Sequence, residues 1–232
     1  MTQSERLRHL EETSSASKGG LIEHMRNSSV QENHDLKREL RRNLRAQRRN
    51  IGLARRRKAE YTILKRTLTL LKRRRARSVA CYLDSDGEVP TQKLITQITL
   101  QGMDVYLPVL QHKSKRLCFR RYTYATPMRP NRYGILEPIP DQSPAIGANR
   151  LDAVLLPVVG FDRQGSRLGM GGGFYDTTLK FLQHRDWHPL ITIGLAFELQ
   201  LVDYIPTDRW DISLDRVVTE RSVYQGRVKQ VY

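Results

Sequence analysis

The densest chemistry-bearing stretch of this chain is Phe161 to Asp176, F-D-R-Q-G-S-R-L-G-M-G-G-G-F-Y-D. Gly169, Gly171, Gly172 and Gly173 strip side chains from one turn and expose its backbone N–H groups. An apolar run precedes the stretch, and a helix-favouring run, Phe174 to Gln183, follows it. Such a turn at a helix start suits phosphate, because the N–H groups and the positive end of the helix dipole both attract anions. Arg167 adds a forked donor matched to phosphate oxygens. Asp176 falls in the first helical turn, where a carboxylate can hold a magnesium ion bridging those phosphates. The loop is not a Walker A motif, since no Gly-Lys-Ser/Thr follows. It is not a dinucleotide fingerprint either, since position 174 is Phe. The competing reading is a tight strand-to-helix turn in which Asp176 merely favours the dipole.

The elements that must position this loop follow from the apolar pattern. From His34 to about Arg75 the residues favour helix, with Leu36, Leu40 and Leu44 at four-residue spacing and Ile63, Leu64, Leu68 and Leu71 further on. Gly52 divides the stretch into two helices. Ser78 to Leu83 reads as a short strand, followed by the polar loop Asp84 to Glu88, and Pro90 opens a helix to about Leu100. Asp104 to Val109 and Leu117 to Tyr122 read as strands, and residues 126–150 as a Pro-punctuated loop. Asp152 to Val159 is the most apolar run, as expected of a central parallel strand buried on both faces. Leu190 to Ala196 and Arg216 to Thr219 add strands. Strands alternating with helices predict an α/β class: three layers, a largely parallel sheet flanked by helices, with a basic N-terminal helical segment. Residues 1–34 lack periodicity and read as a mobile polar tail, with Met25 an alternative start, ahead of a single domain over 35–232.

Composition narrows the partners. The chain has 232 residues and a formal net charge of +16. Residues 37–77 hold 18 Lys and Arg against Glu39 and Glu60, and the remainder is balanced, so the whole excess sits in one segment. That segment could bind nucleic acid, cover an acidic partner or hold the phosphates of a small ligand. No run of 18 apolar residues occurs, which argues against a membrane span. The first twenty residues carry no apolar h-region of a secretory signal. Cys81 and Cys118 lie in apolar or aromatic stretches and read as free thiols in a reducing compartment, which gives a cytoplasmic expectation. His184 and His188 have i, i+4 spacing, but no third or fourth ligand lies nearby, so they read as a surface pair.

The segment R-L-G-M-G-G-G-F-Y-D resembles the signature of the 5-formyltetrahydrofolate cyclo-ligase family, also called methenyltetrahydrofolate synthetases. The similarity continues in order through K-R-E-L-R at 37–41, Y-L-D-S-D-G-E-V at 82–89, V-Y-L-P-V at 105–109, M-R-P-N-R-Y-G-I-L-E-P at 128–138 and I-P-T-D-R-W-D-I-S-L-D at 205–215. The resemblance implies ATP contacts at Lys37, Arg41, Arg167, Leu168, Gly169, Met170, Gly171, Gly172, Gly173, Phe174 and Tyr175, with Arg167 and Tyr175 acting in catalysis. It implies magnesium carboxylates at Asp176 and Asp211, and folate contacts at Leu83, Glu88 and Tyr133. A carboxylate suits a pterin because it accepts hydrogen bonds from the ring's amino and N–H groups. The chain departs from many members in having Phe174-Tyr175 where they carry Tyr-Tyr, which removes one hydroxyl.

The reaction the resemblance implies is ATP-dependent closure of 5-formyltetrahydrofolate to 5,10-methenyltetrahydrofolate, with Mg2+ and with release of ADP and phosphate through a phosphorylated formyl intermediate. It needs no protein nucleophile, in keeping with the absence of any defensible Ser/His/Asp or Cys/His set. The expected partners are the small-molecule substrates, with no specific nucleic acid, no membrane and a monomeric chain. Two alternatives belong to other classes. One is an RNA-binding protein using the basic segment 37–77, although that segment offers only Tyr61 for stacking and no RRM or KH signature is present. The other is a phosphate-ligand-binding regulator without turnover.

Overall fold

Apolar residues at three- and four-residue intervals make the basic segment helical, as expected: residues 31–49 form α1 and Leu53–Arg73 form α2. The structure, a computed structural model, describes residues 31–111, 114–140, 145–184 and 189–226. Most of the expected tail, Met25 included, lies outside the described residues, as does His188. The chain divides into two units, Met1–Leu40 and Arg41–Tyr232. In the first unit, residues 31–40 are helical. Every strand among the described residues belongs to the second.

Twelve strands follow: β1 (Ser78–Ala80), β2 (Asp104–Leu110), β3 (Leu117–Tyr122), β4 (Met128–Pro130), β5 (Leu136–Pro138), β6 (Ala145–Ile146), β7 (Ala153–Pro157), β8 (Gly160–Phe161), β9 (Arg167–Leu168), β10 (Ile191–Leu195), β11 (Arg216–Val218) and β12 (Val223–Gln225). Eight make one sheet in the order β12-β11-β10-β7-β1-β2-β3-β6. Neighbours from β11 to β2 run parallel, and β12, β3 and β6 join antiparallel at the edges. The expected largely parallel sheet is present, with antiparallel edges that short apolar runs do not announce. Two small hairpins, β4–β5 and β8–β9, stand outside it.

Side chains alternate between two cores. Val79, Val105, Ala153, Leu155, Ile191 and Ile193 face α2 and α3 (Gln92–Leu100), where Ile63, Leu71, Leu94 and Ile98 meet them. Ala80, Val154, Leu156 and Val217 face the other layer, with Phe119, Ile212, Leu214 and Leu179 of the short helix α4 (Phe174–Leu179). Leu155 and Leu156 are fully buried on opposite faces of β7, each contributing roughly 1.5–3 kcal/mol relative to exposure. That confirms β7 as the central strand.

Several boundaries differ from expectation. The strand expected over Ser78 to Leu83 ends at Ala80, because Tyr82 and Asp84 turn to bind Thr91. The helix expected from Pro90 starts at Gln92. The expected loop 126–150 contains β4, β5 and β6. The helix expected from Phe174 to Gln183 is α-helical only to Leu179 and tightens to 3-10 over Lys180–His184.

Candidate functional site

The order of the sheet reverses at β1 and β7: from β1 the chain builds outward through β2, then returns and builds the other way from β7 through β10 and β11. Ligands of open α/β sheets bind outside the carboxyl ends of the strands at such a switch point. The loops leaving β1 and β7 are therefore the candidate site, and they are the two stretches that sequence had singled out.

The loop leaving β7 passes through the β8–β9 hairpin, whose turn is closed by Asp162 Oδ1 accepting the N–H groups of Gln164 and Ser166 at 2.9 Å each. Beyond β9 come the glycines. Gly171 has φ +97° and Gly173, which caps α4, has φ +69°, conformations that L side chains rarely adopt. A Cβ on Gly172 would stand 2.7 Å from the Phe174 ring, whereas one on Gly169 would meet nothing within 4 Å. Met170 is half exposed at the tip, and Leu168 is buried with its carbonyl taken by the Val159 N–H. With only six residues in α4, the helix dipole adds less than the sequence suggested. Any anion binding here would rest on the loop's own N–H groups.

Four charged side chains surround this loop. Arg41 Nε donates to the Gly169 carbonyl at 2.8 Å, and its guanidinium lies against Gly171. Burial lowers the Arg41 pKa, and the nearby Asp211 carboxylate partly restores it. Arg167, with a nearly buried side chain, donates to Asp176 Oδ1 at 2.5 Å and to the Ile212 carbonyl. Asp176 Oδ1 also accepts the Ile212 N–H at 3.1 Å, which brings the neighbour of Asp211 against Asp176. Asp211 Oδ2 accepts the Asp208 N–H at 2.9 Å. Among the described residues no group of three or more His, Cys, Asp or Glu side chains gathers as a metal cluster. Two carboxylates nevertheless suit Mg2+, an oxygen-seeking ion that takes one or two protein carboxylates and fills its shell with water and phosphate oxygens. Lys37 lies in the helical part of the first unit.

The loop leaving β1 is a tight turn. Asp86 (φ +48°) and Gly87 (φ +74°) are both left-handed, and the Glu88 N–H returns to the Ser85 carbonyl at 2.9 Å. This is the two-residue geometry that Asp-Gly favours. The Ser85 N–H in turn donates to Glu88 Oε2 at 3.0 Å. Glu88 is only 7% exposed, and burial pushes its pKa up to about 7, against a weaker downward pull from the Ser85 N–H and Arg48. Leu83 packs at the margin of the first core.

The two loops meet at Tyr175. Although the residue is half-buried overall, its hydroxyl end lies deep, within electrostatic reach of Cys81, Glu88 and Arg167. Burial first, then Cys81 and Glu88, raise its pKa, so it is a neutral phenol and a hydrogen-bond donor at physiological pH. Tyr133, exposed at the tip of the β4–β5 hairpin, stands edge-on to Phe174 with ring centroids 6.1 Å apart. Arg132 lies over both rings.

Sequence reasoning missed the role of four arginines. Arg45, Arg48 and Arg49 converge on the Asp86 carboxylate, and Arg56 donates to the carbonyls of Gly87 and Glu88 at 2.9 and 3.0 Å. Their pairings are separated by 31 to 41 residues along the chain, so no local pattern marks them. Arg66 likewise ties α2 to the carbonyls of Thr219 and Arg221.

The fold defines an α/β protein whose candidate site lies outside the carboxyl ends of β1 and β7. Residues 33–220 match the family model of the 5-formyltetrahydrofolate cyclo-ligase family. The chain is 39% identical over 183 residues to the 5-formyltetrahydrofolate cyclo-ligase of Haemophilus influenzae, covering 78% of this chain and 96% of that one. It is 44% identical over 151 residues to the Escherichia coli K12 5-formyltetrahydrofolate cyclo-ligase, covering 65% and 81%. Among solved structures it resembles the 5,10-methenyltetrahydrofolate synthetase of Aquifex aeolicus, with a TM-score of 0.70 and 27% identity over 85% of this chain and 95% of that one. The chain belongs to the 5-formyltetrahydrofolate cyclo-ligase family and is an enzyme of folate one-carbon metabolism.

Proposed function

We propose that this enzyme closes 5-formyltetrahydrofolate to 5,10-methenyltetrahydrofolate at the expense of ATP, releasing ADP and phosphate. The observation that carries the reading is the meeting at Tyr175 of a loop rich in N–H donors and a loop bearing a buried carboxylate. One suits a polyphosphate, the other a pterin.

The glycine loop, Gly169 to Gly173 with its flanking residues Leu168, Met170, Phe174 and Tyr175, receives the phosphates through backbone N–H groups. Arg41 adds positive charge at the loop, and the resemblance adds Lys37 as a further phosphate contact. Arg167 acts as a positioning residue, holding Asp176 and the backbone at 212 in register with the loop. Glu88 accepts hydrogen bonds from the pterin, with Leu83 as an apolar wall and Tyr133 as a stacking partner. The formyl oxygen attacks the γ-phosphorus and ADP leaves. N10 then attacks the activated formyl carbon, and phosphate departs with the original formyl oxygen and takes up the N10 proton. The Tyr175 phenol, a donor in this environment, steadies charge between the two substrates. Catalysis is chiefly positioning and charge neutralisation. Asp176 and Asp211 would hold Mg2+, which when bound supplies charge neutralisation to the transferring phosphoryl group.

The catalytic domain spans residues 35–232 and works as a monomer. A cytoplasmic setting accords with two free cysteines, one of them buried. Among the described residues no helix is long and apolar enough to cross a membrane. The test is direct: purified protein with 5-formyltetrahydrofolate, ATP and Mg2+ should show the absorbance rise of methenyl-folate. No rise at any Mg2+ concentration would remove the reading.

A further inference from the structure

The Asp86 carboxylate is the most heavily gripped acidic group among the described residues, and the family reaction gives it no part. Arg45 Nε reaches Oδ2 at 2.7 Å, Arg48 reaches the same oxygen at 2.9 Å, and Arg49 reaches Oδ1. Arg48 is almost wholly buried, 1% exposed. It also donates to the Asp86 carbonyl at 2.9 Å and to the Val158 carbonyl, just beyond β7, at 3.3 Å. Arg56 completes the grip, donating to the carbonyls of Gly87 and Glu88 and to that of Arg48 at 2.9 Å. Burial alone would push the Asp86 pKa up, but the hydrogen bonds from Arg45 and Arg49 outweigh it and hold the carboxyl below its usual range.

A plain tight turn needs none of this. Ser85-Asp86-Gly87-Glu88 already has the residues its backbone demands and closes its own hydrogen bond. Burying an arginine is costly unless its charge is paired. A buried arginine, two further guanidiniums on one carboxylate and a fourth on the next two carbonyls fix the turn far beyond that local need. What the turn delivers is the Glu88 side chain, two residues after Asp86.

We propose that Asp86 and Arg48 are positioning residues for Glu88: the clamp fixes where that carboxylate stands against the folate and balances the charge around it. The inference rests on the reading that Glu88 receives the folate. The groups facing Glu88 are Arg48 from α1, Asp84 and Asp86 from its own loop, Tyr82 from the segment just after β1 and Tyr175 from α4. The two clamp residues pull in opposite directions. Arg48 favours the Glu88 carboxylate, and Asp86 disfavours it. Ionised Glu88 is the form that accepts hydrogen bonds from pterin N–H groups, so folate binding strengthens as pH rises through its pKa.

The experiment compares Asp86→Asn, Arg49→Gln and Glu88→Gln by KM for 5-formyltetrahydrofolate, KM for ATP and the pH profile of kcat/KM for the folate. Asparagine tolerates the left-handed backbone at 86, so the turn is kept while the charge is lost. Asp86→Asn should raise the folate KM about tenfold, leave the ATP KM within about twofold, and move the acid limb to lower pH by about half a unit. Arg49→Gln, at a half-exposed side chain, removes one of three partners and folds in any case. It should raise the folate KM by about twofold. Unchanged folate KM in both variants, with only a lower Tm, overturns the inference, as does an equal rise in both KM values. If Glu88→Gln raises the folate KM while Asp86→Asn does not, the clamp is structural and the folate reading stands. If Glu88→Gln leaves the folate KM unchanged, the folate reading fails and the inference with it.

Discussion

The two loops of the site are neighbours at the sheet's carboxyl edge, yet they are built on opposite plans. Gly169 to Gly173 is shaped by its backbone: two left-handed glycines, a third with no room for a Cβ, and one guanidinium on a carbonyl. Tyr82 to Val89 is held by side-chain charge, with three arginines on Asp86 and a fourth on the following carbonyls. A polyphosphate offers many oxygens and needs many donors in a shallow cradle. A pterin offers a few directional groups and needs one carboxylate in one place. On the proposed function, the first demand would be met by removing side chains and the second by clamping one.

The largest expected effect breaks the glycine-loop side. Asp176→Asn should lower kcat about 100-fold or more, beyond whatever Tm it loses with the Arg167 ion pair, since lost ligation of a catalytic metal costs several kcal/mol of transition-state stabilisation. A Mg2+ titration of kcat checks this, and a near-parent value at limiting Mg2+ would remove Asp176 from the metal. A finer cut compares two glycines of one loop. Gly172→Ala should raise the ATP KM about tenfold, because its Cβ must displace the Phe174 ring. Gly169→Ala, with open space around it, should change the ATP KM by about twofold or less. Equal effects would mean that the loop moulds itself to ATP rather than standing preformed.

The other loop is broken by Glu88→Gln. Losing a charged hydrogen bond costs roughly 1.5–3 kcal/mol, so the folate KM should rise about tenfold or more while the ATP KM stays put. Stability gives an independent readout. Burial raises the Glu88 pKa from 4.5 to about 7 in the folded chain, so the folded state holds this proton more tightly than the unfolded one. That contribution is fully present below about pH 4.5 and is lost as pH rises through 7, about 3 kcal/mol at most. The parent should therefore lose more Tm than Glu88→Gln between pH 5 and 8. Parallel Tm profiles would mean that Glu88 ionises freely.

The same contrast decides what was legible in the sequence. Glycine spacing is local information, so one window of residues exposed the glycine turn and placed Arg167 and Asp176 beside it. The polar run Asp84 to Glu88 was legible as a loop for the same reason. Arg48 and Asp86 do not find each other until β1, β7 and α1 have assembled, and nothing in a run of basic residues says which will turn inward. The length of α4 and the strands within 126–150 escaped for a related reason: short elements are set by what they pack against, not by their own periodicity. Arg167 was placed correctly beside the loop, but its donors go to Asp176 and Ile212, a destination that residue type alone could not choose.

The smallest expected effect tests the other end of the basic segment. Arg73, Arg74 and Arg75 close α2 and are exposed, while Arg41, Arg45, Arg48, Arg49 and Arg56 are engaged by Asp86 or by loop carbonyls. Arg75 takes the left-handed position (φ +53°) after the helix, with its N–H on the Lys72 carbonyl and that of Ala76 on Leu71, so the backbone ends the helix whatever side chains it carries. Replacing all three by Gln should change kcat and both KM values by less than about twofold, since exposed charges away from a site contribute little. The parent may be titrated with RNA alongside the triple variant. Contacts between exposed cations and phosphates weaken steeply with added salt, so any binding should vanish by physiological salt in both proteins. Salt-resistant RNA binding lost in the triple variant, in a protein that fails to close the folate ring, would shift the function to the basic segment. The expected pair of results is the reverse: an enzyme indifferent to its outward arginines and dependent on Arg48 and Asp86, which face inward. Charge in this segment would then matter by its destination, not by its sum.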